Sequence, residues 1–345
     1  MEAYLAQCVE SILRTPSLSD IEIVIVNDGS TDSSLNIAKR YAARFMQTIR
    51  IIDKPNGNYG STINAALPTL QGEYVKILDA DDCFDGSLVA PFLASLRQVR
   101  GVDMVITPFI ECRKRSTHRI SYNIYSRELY ESGKIYDAEQ IFGDGAIRFF
   151  MMHSVSYRTD MLRRINYRQS EGVSYTDQEW VFYPLFRVKD IAFVDIPIYR
   201  YNAAREGQTM ERGVQLRSLS HLRIVTERMA QHFTAAARRL KSPIRLKFLS
   251  NIIADRVRII YRKYLLEMDD DQFENSDFLA VDRLLMLLVQ RCKISDLEVP
   301  VNNLLRVDLL SHWHRYRKRH SSPIRSILRA ADTTMSYLHR TIFRR

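Results

Sequence analysis

The stretch Ile21–Ser34, which reads IEIVIVNDGSTDSS, decides the fold. Its first six residues form a mostly β-branched run that is typical of a buried strand. The next four, Asn27 to Ser30, have the composition of a turn. Asp32 or Ser33 can cap a helix that is predicted over Ser33–Phe45. A strand, a turn with an acidic residue and a helix together indicate an α/β fold.

The same alternation continues on both sides of this stretch. Strands are predicted over Ile49–Ile52, Tyr74–Leu78 and Val102–Thr107, and helices over Tyr4–Leu13, Thr62–Leu70 and Ser87–Leu96. Strand–helix alternation predicts an α/β domain with a mostly parallel sheet and helices on both faces. In such sheets the ligand site lies at the carboxyl ends of the strands.

A second, helical region is predicted after the α/β domain. The pattern from Arg113 to Tyr201 is less regular, and beyond Gly207 the apolar residues keep helical spacing. With 345 residues the chain is long enough for about two domains. We therefore expect an α/β domain over 1–206 and an α-helical C-terminal region over 207–345.

The positive charge of the chain, +10 overall, lies in its C-terminal part. Residues 211–345 hold 26 basic and 14 acidic side chains, whereas residues 1–210 hold 24 and 26. The last segment, Ser322–Arg345, predicts a basic amphipathic helix, preceded by the basic run His314–His320. Such a helix either lies in an anionic membrane interface or packs its apolar stripe on the protein.

Several classes of protein are not supported by the sequence. Four dispersed cysteines form no zinc or disulfide motif and suit a reducing compartment, so a cytoplasmic location is expected. The N-terminal residues lack the basic region of a signal peptide, and no apolar run reaches the roughly 18 residues that span a bilayer. Neither a P-loop nor a dinucleotide fingerprint occurs.

Acidic residues follow two of the predicted strands. Asp28 follows the first, and Asp79-Ala80-Asp81-Asp82 follows the strand at Tyr74–Leu78. Either motif alone is typical of a turn or a helix cap. Together, at strand ends of one sheet, they place carboxylates close enough that a cation between them is favourable. Mg²⁺ or Mn²⁺ prefers such oxygen ligands and commonly accompanies phosphates.

These motifs resemble those of the family 2 glycosyltransferases. The resemblance rests on VESIL, IEIVIVNDGSTDSS, NGNYGSTINAAL and GEYVKILDADD in the first 100 residues, and more weakly on SYTDQEWVFYPL, VDIPIYRYN and EGQTM up to Met210. It implies the GT-A fold, a Rossmann-like nucleotide-diphospho-sugar transferase domain. It also implies an inverting, metal-dependent transfer from a nucleotide sugar, with UDP as the expected nucleotide. The implied acceptor is a glycan or lipid-linked hydroxyl in polysaccharide synthesis at the cytoplasmic face of a membrane.

The resemblance implies roles for particular residues. The nucleotide-binding residues are Asp28, Gly60, Asn64, Asp79 and Gln208, the metal ligand is Asp81, and the catalytic base is Asp177. Asp28 would hydrogen-bond the uracil ring, Asp79 would lie near the ribose, and Gln208 would reach the diphosphate. Asp177 is otherwise a helix cap. Trp180 either stacks on an acceptor sugar or is buried, and His153 is expected to be a core or loop histidine.

The chain departs from the family at its start. The family's first strand, which is central in the sheet, is absent before the helix at Tyr4–Leu13. Its loss leaves ladder groups exposed on the neighbouring strands. Either Met1 is an internal methionine of a longer protein, or the short form is real. The alternative functions are a truncated inactive enzyme or scaffold and, from the basic C-terminal half, a nucleic-acid-binding protein.

Overall fold

The computed structural model describes residues 1–121, 130–203, 212–295, 297–301 and 307–342. The chain divides into two compact units. The first contains residues 1–208 and 239–248, and the second contains residues 209–238 and 249–345. The predicted domain boundary between residues 206 and 207 lies outside the described residues and stays a prediction.

The first unit combines short strands with helices, as an α/β fold requires. Its helices are α1 Glu2–Leu13, α2 Ser34–Arg44, α3 Tyr59–Ala66, α4 Gly86–Gln98, α5 Ala138–Gly143, α6 Thr159–Arg164 and α7 Asp177–Trp180. Its strands are β1 Ile23–Asp28, β2 Ile49–Lys54, β3 Tyr74–Val75, β4 Cys83–Phe84, β5 Met104–Ile106, β6 Phe109–Arg113, β7 Ser116–Ile120, β8 Ile135–Asp137, β9 Val155–Arg158, β10 Asp190–Phe193 and β11 Tyr199–Asn202. The early part of the unit follows the predicted alternation of strands and helices.

The strands form mixed sheets, which corrects the expectation of a mostly parallel one. β1 and β2 pair in parallel as a two-stranded sheet. A five-stranded sheet has the order β3-β9-β5-β10-β8, and a four-stranded sheet has the order β4-β11-β6-β7. β9 is antiparallel to both of its neighbours. β9 comes from the region where the sequence pattern is irregular. Antiparallel pairing needs no helical crossover between the strands, so the strand–helix alternation does not predict it.

The strand predicted over Tyr74–Leu78 is shorter in the structure. Only Tyr74 and Val75 pair, with β9, and the following residues extend without a ladder. β1 pairs with β2 alone, and its residues Val24 and Val26 remain half-buried. Within the part of the chain that the structure describes, no strand therefore joins β1 to β3.

Two apolar cores hold the helices of the first unit on its strands. In one, Leu5 and Val9 of α1 pack with Ile37 of α2 and Ile49 of β2. In the other, Val89 and Phe92 of α4 pack on Val105 and Val194. The periodicity of the apolar residues in α1 and α4 places these side chains on one face of each helix. The helices thereby fix the strand ends from which the acidic residues project.

The second unit is helical, as the C-terminal pattern predicts. Its helices are α8 Arg212–Arg217, α9 Leu219–Ala237, α10 Pro243–Arg262 (whose first residues belong to the first unit), α11 Asp270–Glu274, α12 Phe278–Arg291, α13 Leu309–Tyr316 and α14 Ser322–Ile342. Buried Asp282 accepts hydrogen bonds from Tyr261 at 2.8 Å and from Trp313 at 3.1 Å. Among the described residues, no helix combines the length and the apolar character needed to cross a bilayer.

The apolar stripe predicted for α14 is divided between protein and solvent. Leu328 is buried, whereas Ile324 is 45% exposed and Ile327 is 67% exposed. Arg325 is also buried, and it donates to Asp270 at 2.7 Å. In the part of α14 whose side chains the structure describes, up to Asp332, one face thus packs on the protein, whereas Ile324 and Ile327 beside it stay in solvent.

Candidate active site

Asp28, at the end of β1, is compensated by the chain itself. The Lys54 ammonium donates to its Oδ1 at 2.7 Å, the Gly57 amide at 3.0 Å and the Ser61 hydroxyl at 3.1 Å. Burial alone would raise the pKa of Asp28, but these donors outweigh it and hold the pKa below its usual range. All three donors reach Oδ1, and no hydrogen bond to Oδ2 is found among the described residues.

The loop after Asp28 depends on a glycine. Gly29 has φ of +69°, a conformation that glycine adopts without steric cost. A Cβ atom there would lie 2.8 Å from the amide nitrogen of Asn56. The close approach of these two loops brings the Gly57 amide to Asp28. Asp28 is thus the last residue of β1, and the chain bends from Gly29 onward.

The second acidic segment is anchored by β11. The Tyr199 hydroxyl donates to Asp82 Oδ2 at 2.5 Å and accepts from the Asp79 amide at 3.3 Å. The Asn202 amide donates to Asp82 Oδ1 at 2.6 Å, and its side chain donates to the carbonyl of Asp81 at 3.3 Å. Asp82 thus holds the loop in place, and its neighbours Asp79 and Asp81 are carried on it.

Asp177 lies near this loop although it is almost 100 residues away in sequence. Burial raises the pKa of Asp79 to about 8. The negative charges of Asp82, Asp81 and Asp177 act in the same direction. Burial also raises the pKa of Tyr59 well above its usual range, with further contributions from Asp79 and Asp177. Four carboxylates and one phenol therefore share one region of the fold.

Asp177 begins the short helix α7 and does not cap it. The cap residue is Thr176, and no side-chain cap hydrogen bond forms. Gln178 donates to Asp177 Oδ2 at 2.7 Å. Two residues earlier, Tyr175 has φ of +67°, which is strained for a bulky residue. The capping alternative for Asp177 is therefore wrong, and backbone strain immediately before it is a feature that often accompanies functional sites.

Gly60 and Asn64 contact a neighbouring loop of the chain. A Cβ at Gly60 would lie 2.0 Å from the carbonyl oxygen of Ser170. The Asn64 amide donates to the Gln169 carbonyl at 2.9 Å, and the Gln169 amide returns a bond of 2.8 Å to Asn64 Oδ1. Ser170 is held by fully buried Glu179, two residues after Asp177. These residues connect α3 to the Asp177 segment, and their predicted contact with a nucleotide stays a prediction.

The sequence predicts His153 to lie outside the site, whereas in the structure it lies beside the acidic segment Asp79–Asp82. A ring nitrogen of His153 and carboxylate oxygens of Asp79 and Asp82 lie within 4.8 Å of one another. Burial and the neighbouring charge of Lys76 lower the pKa of His153 to about 3. Burial lowers the pKa of Lys76 to about 7. The predicted ligand Asp81 lies beside this group, and its assignment stays a prediction. The only sequence signal for His153 was its residue type.

Trp180 and Gln208 are the remaining positions with a predicted role. Trp180 is fully buried and packs edge-on against Tyr157 and Tyr167, so it offers no face to a sugar. The large apolar ring is more stable in the core than in a cleft. Gln208 lies outside the described residues.

The chain is similar to known glycosyltransferases. Residues 2–165 match the sequence model of the family described as glycosyl transferase family 2. The putative glycosyltransferase EpsH of Bacillus subtilis (strain 168) is 27% identical over 203 residues, covering 58% of this chain and 57% of that protein. Chondroitin synthase of Escherichia coli is 31% identical over 135 residues, covering 38% of this chain and 19% of that protein. The chain thus spans about half of EpsH and a smaller share of the synthase.

A solved structure shares the fold. Residues 1–349 of S. aureus TarS, in complex with UDP-GlcNAc, superpose with a TM-score of 0.55 at 16% identity. The match covers 93% of this chain and 90% of that one. The first unit is accordingly a GT-A-like α/β fold.

Proposed function

We propose that this chain, whose residues 2–165 match the sequence model of glycosyl transferase family 2, transfers a sugar from a UDP-sugar to a glycan or lipid-linked hydroxyl. The setting proposed is polysaccharide synthesis in the cytoplasm. Support for the donor comes from the TarS complex, which contains UDP-GlcNAc. Support for the pathway class comes from the similarity to chondroitin synthase.

The observation that carries the proposal is the meeting of Asp177 with the acidic loop. An inverting transfer needs a carboxylate that takes the proton of the acceptor hydroxyl, and Asp177 is proposed for that step. It also needs positive charge beside the leaving diphosphate, because charge develops there in the transition state. Asp177 lies close enough to Asp79 for its charge to act on that carboxyl. Base and leaving-group site thus occupy one region.

A divalent cation fits the acidic loop on the chemistry of the side chains present. The pKa of Asp79 is raised by burial and, in addition, by the like charges of neighbouring carboxylates, and a cation would relieve that repulsion. Asp81 is proposed to hold the ion, with Asp79 and Asp82 beside it. When bound, the ion supplies positive charge against the diphosphate. On the opposite strand end, Asp28 Oδ2 would accept a hydrogen bond from the uracil ring. Gly60, Asn64 and Gln208 are proposed to contact the rest of the nucleotide.

Two substitutions separate the base from the donor site. Asp177→Asn should keep UDP binding nearly unchanged but lower transfer at least about 100-fold, because it removes the base and keeps the shape. Asp81→Ala should abolish the Mn²⁺-dependent part of UDP binding. Calorimetric titration with UDP, with and without Mn²⁺, measures binding, and release of UDP from UDP-sugars in the presence of acceptor measures transfer.

The control is Asp160→Asn, an exposed carboxylate of the same unit whose side chain is 79% exposed. It should change neither binding nor transfer. Normal turnover by Asp177→Asn would show that the base is another group. Absence of UDP binding in both conditions would reject UDP as the nucleotide.

We also propose that the C-terminal segment contacts an anionic membrane surface. Ile324 and Ile327 are exposed on α14, and Arg315, Arg317 and Lys318 are exposed just before it. Exposed apolar residues beside basic ones suit an anionic interface. Other basic residues of the segment serve the fold, since Arg319 and Arg325 are buried against Asp270.

Vesicle sedimentation tests the membrane contact. The chain should pellet with phosphatidylglycerol vesicles and not with neutral phosphatidylcholine ones. Ile327→Glu should lower the bound fraction several-fold, because it places a negative charge in the interface. Leu287→Glu, at an apolar residue of α12 that is 47% exposed, is the matched control and should bind as the unmodified chain does. Equal binding of both variants would reject the contact.

A further inference from the structure

We infer that His153 is a nitrogen ligand of the divalent cation proposed for the acidic loop, together with Asp79 and Asp82. The inference rests on the proposed function for the presence of a cation and adds the identity of a ligand outside the acidic motif. His153 lies 71 residues after Asp82 in the chain, and the fold brings it to that segment.

The three side chains have the spacing of a ligand set. Their candidate ligand atoms all lie within 4.8 Å of one another. Bonds of about 2.1 Å to one ion place neighbouring ligand atoms about 3 Å apart and opposite ones about 4.2 Å apart. Small side-chain movements would therefore suffice for all three groups to reach one cation.

The imidazole of His153 is held in position by aromatic neighbours, but one of its ring nitrogens has no hydrogen-bond partner in the described structure. Its ring packs against Phe109, Tyr199 and Tyr201, with centroid distances of 5.1, 4.9 and 4.5 Å. Its Nδ1 atom is buried and has no hydrogen-bond partner in the described structure. A buried polar atom without a partner is unusual, since such atoms are normally hydrogen-bonded.

Lys76 does not replace the cation at this position. Its ammonium group donates to the carbonyl oxygens of His153 at 2.8 Å and of Val155 at 3.4 Å. These contacts fix the backbone on which His153 stands. Asp82 in turn is fixed by Tyr199 and Asn202, so two of the three proposed ligands are supported by neighbouring groups.

A nitrogen ligand has a consequence for metal choice. Mg²⁺ prefers oxygen ligands and binds imidazole poorly, whereas transition metals accept it. Removal of His153 should therefore weaken Mn²⁺ binding more than Mg²⁺ binding. Removal of a carboxylate ligand should weaken the binding of both ions, since both accept oxygen ligands.

Pulsed electron paramagnetic resonance of bound Mn²⁺ tests the inference directly. The unmodified chain, loaded with Mn²⁺ alone and then with Mn²⁺ and UDP, should show coupling to an imidazole nitrogen. His153→Gln should abolish this coupling and weaken Mn²⁺ binding about tenfold or more, with Mg²⁺ binding changed less than about threefold. His232→Gln, at an exposed histidine of α9, should retain the coupling and both affinities.

The outcomes distinguish this inference from the proposed function. Mn²⁺ that binds in an Asp81-dependent way without nitrogen coupling would overturn the role of His153 and leave the transferase proposal intact. Transfer that persists in chelator, with no Mn²⁺ bound, would overturn the metal site as a whole and leave sugar transfer intact. If His153→Gln does not fold, the coupling in the unmodified chain alone decides, because its presence or absence needs no variant.

Discussion

Asp28 and Asp79 both stand at the end of an apolar β-type run, yet they are in opposite electrostatic states. Asp28 has a lysine at 2.7 Å and a lowered pKa. Asp79 has carboxylates around it and a pKa raised to about 8. The chain therefore places the Lys54 ammonium beside Asp28, whereas the charges that raise the pKa of Asp79 are those of other carboxylates. The first can present a lone pair to a neutral ring, whereas the second attracts positive charge.

Removal of the Lys54 ammonium from Asp28 should have the largest effect on stability. Lys54→Met leaves the half-buried Asp28 with only the Gly57 amide and the Ser61 hydroxyl. We expect a loss of about 2 kcal/mol in the free energy of unfolding, measured by urea denaturation at pH 7. The double substitution Asp28→Asn with Lys54→Met should recover most of it, because no unpaired charge then remains.

The matched control is the exposed pair Arg97–Asp20, whose side chains are 62% and 41% exposed. Arg97→Met should cost less than about 0.5 kcal/mol, since exposed ion pairs contribute little. If Lys54→Met costs no more than this control, Asp28 is not compensated in the way described, and the contrast with Asp79 disappears.

A smaller effect, on the pH dependence of stability, should sharpen the contrast. The folded chain keeps a proton on Asp79 up to about pH 8, whereas an unfolded aspartate releases it near pH 4. Stability should therefore fall as pH rises between these values, and Asp79→Asn should remove that part of the slope. Thermal unfolding in chelator, followed from pH 5 to 9, measures it.

Asp28→Asn provides the comparison in the same experiment. The pKa of Asp28 is lowered in the folded state, so its contribution is complete above about pH 4 and is lost only as pH falls further. Its variant should run parallel to the unmodified chain between pH 5 and 9. A parallel course for Asp79→Asn as well would contradict the raised pKa of Asp79.

Local patterns predicted the early elements well because they depend on nearby residues. The run IEIVIV appears as β1, and the helices α1, α2 and α4 follow their apolar spacing. The antiparallel pairing of β9 with β3 and β5 could not be predicted in this way, because pairing between segments distant in sequence leaves no local signal. The shortness of β3 likewise depends on its neighbours and not on its own apolar residues.

The site shows the same division between local and distant information. Asp28 ends β1, as its motif predicts, whereas the segment Asp79–Asp82 follows β3 after three residues outside the ladder and directly precedes β4. Lys54 and His153 were not predictable as partners, because each is an ordinary residue type until the fold brings it to a carboxylate. Trp180 shows the converse, since an aromatic next to a motif turned out to be core.

Among the described residues, β1 has a strand partner on one edge only, where it pairs with β2. Its other edge has no described strand partner. The Ile23 amide donates to the Thr48 carbonyl of the β2 side at 2.7 Å. In a parallel pair every second residue directs its amide and carbonyl towards the same neighbour. Val24 and Val26 therefore direct theirs away from β2, towards the side where no described strand lies. On this edge, every second residue of β1 presents a backbone amide and a carbonyl that no described strand pairs with. An extended segment that aligned with this edge could form a ladder with these groups in one register.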